Sequence, residues 1–372
     1  MVDTVLSGGW IIDGTRTPPY QADLCIQDGK IVAISPQWEG NCRTRVDVTG
    51  KIVSPGFIDI HTHSDTCPFS AVFPESKVAQ GITLEIVGNC GVSAVPILPS
   101  CQAEQTAYLR KISEIPVPEE AVRDASVQKY AAHVAQTGYP SHLGTLIGQG
   151  TLRAGIVGFQ YRPLTPSEME QMKFLLDDQL NQGALGLSLG LIYPPGSFSP
   201  TSELRELARV VQKHKKILAV HMRNEGPNIF QAVEEMLSIA EETGVHLHIS
   251  HLKLMGKAQW GQAPRLLERI EASRQRGAVV TCDQYPYTAT STILAALLPR
   301  RAYDGGSAAM LRRVSDPDTF LLRDIAEETE RRGGAVGVVV VPLIELTQHL
   351  VVGLRRAALF QLEAAPLRAH LG

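Results

Sequence analysis

From Gly56 onward the chain alternates short apolar runs with longer stretches in which apolar residues recur every three or four positions. The runs GFIDIH (56–61), TLEIVGN (83–89), LGTLIGQ (143–149), ALGLSLGL (184–191), ILAVHM (217–222), VHLHIS (245–250) and AVVTCDQY (278–285) predict seven strands. Between them, TPSEMEQMKFLLDDQLNQG predicts a helix that Thr165 and Ser167 start, Glu168 and Glu170 favour electrostatically in the first turn, and Gly183 stops. IFQAVEEMLSIAEETG and APRLLERIEASRQRG follow the same grammar, each ending in glycine. Strands and helices that alternate in this way build a parallel sheet with crossover helices. Residues 1–54 differ: they read as short strands separated by turns, with Asp28-Gly29 and Thr49-Gly50 as hairpin signals, and predict a small β module.

Seven strand–helix units fit either a closed eight-stranded barrel short of its last strand or an open doubly wound sheet. The polar residues decide between them. Nearly every strand ends in one: His61 and His63, Asn89-Cys90, Gln149, His221 with Arg223 and Glu225, His251 with Lys253, Asp283 with Tyr285. Polar groups from many successive strand ends converge only in a closed sheet, whereas an open sheet focuses them at one switch point. The expected fold is therefore α/β, a (β/α)8-type TIM barrel over residues 55–341.

Composition narrows the function classes. The 372 residues are 44% hydrophobic and 20% charged, which excludes a disordered chain. A net charge of -3 with scattered Lys and Arg predicts no nucleic-acid partner. No apolar run approaches the roughly 20 residues of a membrane span, and the N-terminus lacks a signal-peptide pattern. Six irregularly spaced cysteines make no disulfide framework, so a reduced, cytoplasmic protein is expected, in which a special cysteine is a ligand or nucleophile.

The strand ends carry a metal-binding pattern. Side chains alternate along a strand, so His61 and His63 share a face and aim at one point. With Cys90, His221 and His251 they make an imidazole and thiolate set of the kind zinc prefers, and Zn2+ is the expected cofactor. His246 and His248 precede their strand end and are read as packing or surface residues. Cys282, inside its strand, is read as a small core hydrophobe. His133, His142 and His214 carry no spacing signal.

PGFIDIHTHSD, GITLEIVGNCGVSAVP, GALGLSLGLIYPPG, HMRNEG, ISHLKLMGKAQWG and DQYPYTATST resemble, in order, the motifs of the N-acyl-D-amino-acid deacylases (D-aminoacylases) of the amidohydrolase superfamily, over about residues 1–341. The resemblance implies a metal-dependent barrel with an N-terminal β-sandwich module. It also implies zinc ligands His61, His63, Cys90, His221 and His251, with the Cys90 thiolate in the bridging position. Arg223, Lys253 and Tyr285 look like the groups that hold the substrate's carboxylate and carbonyl, as suits an anionic small-molecule N-acyl amino acid. Asp65 is expected to orient a ligating histidine, and Gln149 stands where the family often carries a histidine.

The implied reaction is hydrolysis of the amide of an N-acyl-D-amino acid to a carboxylate and a free D-amino acid, with an aspartate of strand 8 moving the proton. The sequence departs from the family there: no aspartate follows Asp324. The family's strand 8 and C-terminal β segments are not recognisable in residues 342–372, a stretch rich in Leu, Ala, Val and Arg that holds Glu345 and Glu363 out of any matching context. These features predict an aberrant tail from truncation or frameshift and a doubtful activity. The alternative is a non-catalytic remnant or binding protein that keeps part of the metal site.

Overall fold

The computed structural model describes residues 1–331 apart from 71, 72, 74, 111–116, 118–124, 288, 289, 291, 294, 295, 297, 317 and 318. The expected tail of 342–372, with Glu345 and Glu363, and the place of an eighth strand lie outside the described residues. The chain divides into two compact units, Met1–Ile58 with Lys77–Leu84, and Asp59–Ser76 with Glu85–Gly372.

The first unit holds a five-stranded sheet of β1 (Val2–Ile11), β2 (Tyr20–Gln27), β3 (Lys30–Ser35), β4 (Cys42–Asp47) and β5 (Ile52–Val53). Asp28 and Gly29, with φ of 50° and 71°, make the expected hairpin between antiparallel β2 and β3. Thr49-Gly50 does something else: β4 and β5 both pair with β1, in parallel. The turn there is a jog in one edge of the sheet, because β1 offers a partner to both halves. Apolar side chains collect on both faces, Val2, Val5 and Cys25 in one cluster and Ile11, Ala22 and Leu24 in another.

The seven expected strands of the barrel are all present, shorter than their apolar runs. They are β6 (Phe57–Asp59), β7 (Ile82–Val87), β8 (His142–Thr145) with its continuation β9 (Ile147–Gly148), β10 (Gly186–Gly190), β11 (Ile217–His221), β12 (His246–Ile249) and β13 (Val280–Cys282). One sheet runs β6–β7–β8 and another β9 to β13 in order, the latter wholly parallel. Leu146, between β8 and β9, donates its N–H to Val87 C=O at 2.9 Å, and Leu185 donates to Thr145 C=O at 2.8 Å. These bonds join the two sheets into one run whose spatial order is the chain order, as in a barrel and unlike a doubly wound sheet.

Local sequence explains the elements. The helix Pro166–Asn181 starts on a capping box in which the Thr165 hydroxyl accepts from the Glu168 N–H and the Glu168 carboxylate accepts from the Thr165 N–H. The helix Ile229–Thr243 ends where Gly244 takes a φ of 71°. β10 is buried along its whole length and β11 and β12 nearly so, as strands covered on both faces must be. Leu187, Leu189, Leu218 and Leu247 are fully buried among them; each burial contributes about 1.5–3 kcal/mol, and truncation of one to alanine would cost about 2–5 kcal/mol.

Cys282 corrects its expectation. It is exposed, not core; among the described residues β13 pairs with β12 alone, and Thr281 and Cys282 are both exposed.

Candidate metal centre

His61, Cys90, His221 and His251 come from four strand ends and meet. The Cys90 Sγ lies 3.3 Å from His61 Nε2 and 3.4 Å from His251 Nε2. These three form one group of mutually close ligand atoms, and His221, Glu225 and His251 form a second that shares His251. The ring centroids of His221 and His251 are 4.4 Å apart.

The turn that carries Cys90 is built for close approach. Gly88, Cys90 and Gly91 all have positive φ, of 78°, 54° and 75°. A Cβ on Gly91 would lie 2.4 Å from the Gly190 nitrogen, and one on Gly190 would lie 1.9 Å from the Cys90 carbonyl oxygen. Only glycines let this turn press onto β10. His251 also has positive φ, 39°, so two proposed ligands occupy backbone conformations that non-glycine residues avoid and that cluster at functional sites.

His61 and His63 lie past the end of β6, so strand alternation does not govern them. Their rings meet edge-on with centroids 5.5 Å apart, and His63 falls outside both close groups. Among the described residues Asp65 bonds Gly88 and Tyr130 and not one of the clustered imidazoles. Its buried carboxylate accepts the Gly88 N–H at 2.9 Å and so anchors the turn that carries Cys90, while burial pushes its pKa up to about 7. Gln149 is fully buried and donates from Nε2 to Ser199 Oγ at 2.7 Å.

The electrostatics suit a cation. Burial pushes the Cys90 thiol far up, with the Glu225 charge adding to it, and burial drives His221 well below its ordinary value. Burial likewise lowers His251. Against burial, His221, His251 and Lys253 hold Glu225 well below the usual carboxylate range. A bound cation would reverse the burial penalty on the thiol, since a coordinating thiol is deprotonated outright.

The residues fit zinc. Both ring nitrogens of His221 are buried and make no hydrogen bond, which is costly for a polar group unless something else binds it. Bonds of about 2.3 Å to sulfur and 2.0 Å to nitrogen at a tetrahedral angle place the two donors about 3.5 Å apart. The observed separations of 3.3 and 3.4 Å match that spacing.

The expected substrate groups lie in different surroundings. Lys253 Nζ donates to Glu225 Oε1 at 2.5 Å and lies 2.9 Å from His251 Nδ1, so it is part of the cluster's edge. The Tyr285 ring sits 5.5 Å from that ammonium, and its buried Oη makes no hydrogen bond. Arg223 is engaged elsewhere, by a two-point pair with Glu235 at 2.9 and 3.0 Å and by the carbonyls of Ser197 and Ser199.

Three residues at the cluster were given no role by sequence reasoning. Glu225 follows His221 by four positions in HMRNEG, and Asp283 directly follows β13; both were visible only as strand-end polar groups. His248, read as packing or surface, is buried and bonds Asp283 at 2.8 Å. Its signal was the period of two on β12, which puts His246 and His248 on one face while Leu247 and Ile249 fill the other.

No family model matches the chain. A D-aminoacylase of Alcaligenes xylosoxydans xylosoxydans is 36% identical over 292 residues, 78% of this chain and 59% of that protein. The structure of an N-acyl-D-glutamate deacylase from Bordetella bronchiseptica, complexed with zinc and a phosphonate inhibitor, is 37% identical with a TM-score of 0.71, covering 81% of this chain and 61% of that one. A D-aminoacylase structure that addresses a binuclear metal centre is 34% identical with a TM-score of 0.71, covering 91% of this chain and 69% of that one. The chain spans about three-fifths of the length of the curated relative.

Proposed function

The chain belongs to the D-aminoacylase family of the amidohydrolases, and from that premise we propose that it is a zinc-dependent hydrolase of the amide bond in N-acyl-D-amino acids. The observation that carries the reading is the Cys90 thiol seated between His61 Nε2 and His251 Nε2, with the buried ring of His221, whose nitrogens make no hydrogen bond, beside them. His61, Cys90, His221 and His251 would hold the metal, with His63 next to His61. When bound, zinc supplies a water acidified toward neutrality and polarises the acyl carbonyl.

The chain's own residues do the rest. Lys253 takes the substrate's α-carboxylate, which would replace Glu225 as the partner of its ammonium. Tyr285 donates its otherwise unused hydroxyl to the acyl oxygen. Arg223, held by Glu235, lines the approach and adds positive potential without giving up its pair. The small-molecule substrate is thus gripped at its anion and at its carbonyl. The cluster's two carboxylates among the described residues are committed, Glu225 to Lys253 and His251, Asp283 to His248 and the His251 N–H.

That commitment favours a second reading, a zinc-binding protein of this family without turnover. One experiment separates the two: elemental analysis of the purified chain, followed by incubation with zinc and N-acetyl-D-amino acids and titration of free amine. Amine released from D but not L substrates supports the hydrolase. Retained zinc without amine points to the second reading, and a chain that retains no zinc removes both.

A further inference from the structure

Asp283 belongs to neither ligand group, yet it faces two ligands at once. Its Oδ1 accepts the His251 N–H at 2.6 Å. Its Oδ2 lies 2.8 Å from His248 Nε2 and 3.6 Å from His61 Nδ1, an atom that is buried and makes no hydrogen bond. His248 is in turn oriented through Nδ1, 2.9 Å from Thr281 Oγ1. The register of β12 against β13 pairs His248 with Thr281, which is why the hydroxyl and the imidazole meet.

The two ligands that Asp283 faces come from strands far apart in the run, His61 after β6 and His251 after β12. Each needs something that one carboxylate can give. A carboxylate facing the other ring nitrogen of a metal-binding imidazole fixes its tautomer and orientation; at 3.6 Å the Asp283 charge favours a proton on His61 Nδ1 by attraction, without a formed hydrogen bond. His251 needs a tether, because its φ of 39° is a conformation that persists only where the surroundings impose it. A hydrophobic residue at position 283 would supply neither, and an aspartate without His248 would lack a third anchor against rotation.

We propose that Asp283, steered by His248, is the positioning residue of the metal centre. It sets His61 as the Nδ1–H tautomer, with Nε2 turned to Cys90, and it holds His251 in its left-handed conformation. The consequence for metal affinity rests on the zinc reading above; the tautomer and the tether do not.

The test uses the full chain and two readouts. Zinc affinity is measured by competition with a chromophoric chelator for the parent, Asp283→Asn, Asp283→Ala and His248→Gln, with the thiolate-to-metal absorption of the cobalt-loaded chain as the signature of Cys90 geometry. The Asp283 variants are expected to bind zinc about 10- to 100-fold more weakly, with the absorption band shifted, and His248→Gln less so. Independently, nitrogen NMR of the metal-free parent should report His61 protonated at Nδ1, a preference lost in Asp283→Asn. Parent-like zinc affinity in a folded Asp283→Asn, or a parent His61 protonated at Nε2 without metal, would overturn the proposal. A parent that binds no zinc ends the zinc reading alone, and the tautomer measurement then decides this one; it also decides if the Asp283 variants do not fold.

Discussion

Cys90 and Cys282 belong to the same run of strands and meet opposite surroundings. Cys90, just past β7, is 4% exposed and sits between two imidazoles, on a turn clamped by Asp65 and pressed onto β10. Cys282 lies on β13, which pairs with β12 alone among the described residues, and is exposed beside Val279, next to a groove lined by Leu267, Ile270, Arg274 and Val280. A strand with neighbours on both sides delivers its terminal residue into a crowd of other strand ends. Cys282 meets no such crowd among the described residues, so the same thiol is placed to bind a cation at one position and is a surface group at the other.

The largest expected effect breaks the comparison at its buried end. Cys90→Ser should lower zinc affinity by at least about 100-fold, since a hydroxyl does not ionise as a thiol does beside a cation; unchanged zinc stoichiometry would remove Cys90 from the site. Gly190→Ala comes next. The added methyl would overlap the Cys90 carbonyl, at a cost of about 1–3 kcal/mol in urea unfolding, and zinc affinity should fall with it. Parent-like stability would mean the turn is free to move away from β10.

Acidity sharpens the contrast further. The Asp65 pKa is pushed from 3.8 to about 7 by burial, so between those values the folded chain holds a proton that the unfolded chain has released. Stability contributed by this group is therefore greatest below about pH 4 and is lost as pH rises to about 7. Asp65→Asn should flatten that part of the pH profile in the metal-free chain, and an identical slope in parent and variant would show that the carboxyl is not so buried. The smallest effects belong to the edge. Cys282→Ser and Val279→Ala should leave zinc content unchanged and shift stability by no more than about 0.5 kcal/mol, although Cys282 should react with a thiol reagent well before Cys90.

The seven strands, the capped helix after Thr165 and the converging histidines were legible because each rests on local chemistry: apolar runs of strand length, a capping box, polar residues where a buried strand reaches its end. The same locality explains the misreadings. A Thr49-Gly50 pair marks a turn, but whether the strands beside it pair with each other depends on what else β1 can bond. AVVTCDQY reads as a core strand, but Thr281 and Cys282 are exposed, and what packs over a side chain is not written in its own segment.

The sequence by itself therefore determined the fold class, the order of the strands and the set of metal-preferring side chains, since periodicity and residue chemistry are properties of short segments. Tertiary structure alone decided which of those side chains come within reach of one cation. It brought Cys90 and His251 to 3.4 Å across 161 positions of chain, drew in Glu225, set His63 outside both close groups, and put Asp283 and His248 behind the proposed ligands. The physical reason is that curvature of the sheet and the close approach of glycine-lined backbones fix distances between strand ends, and no spacing along one strand records them.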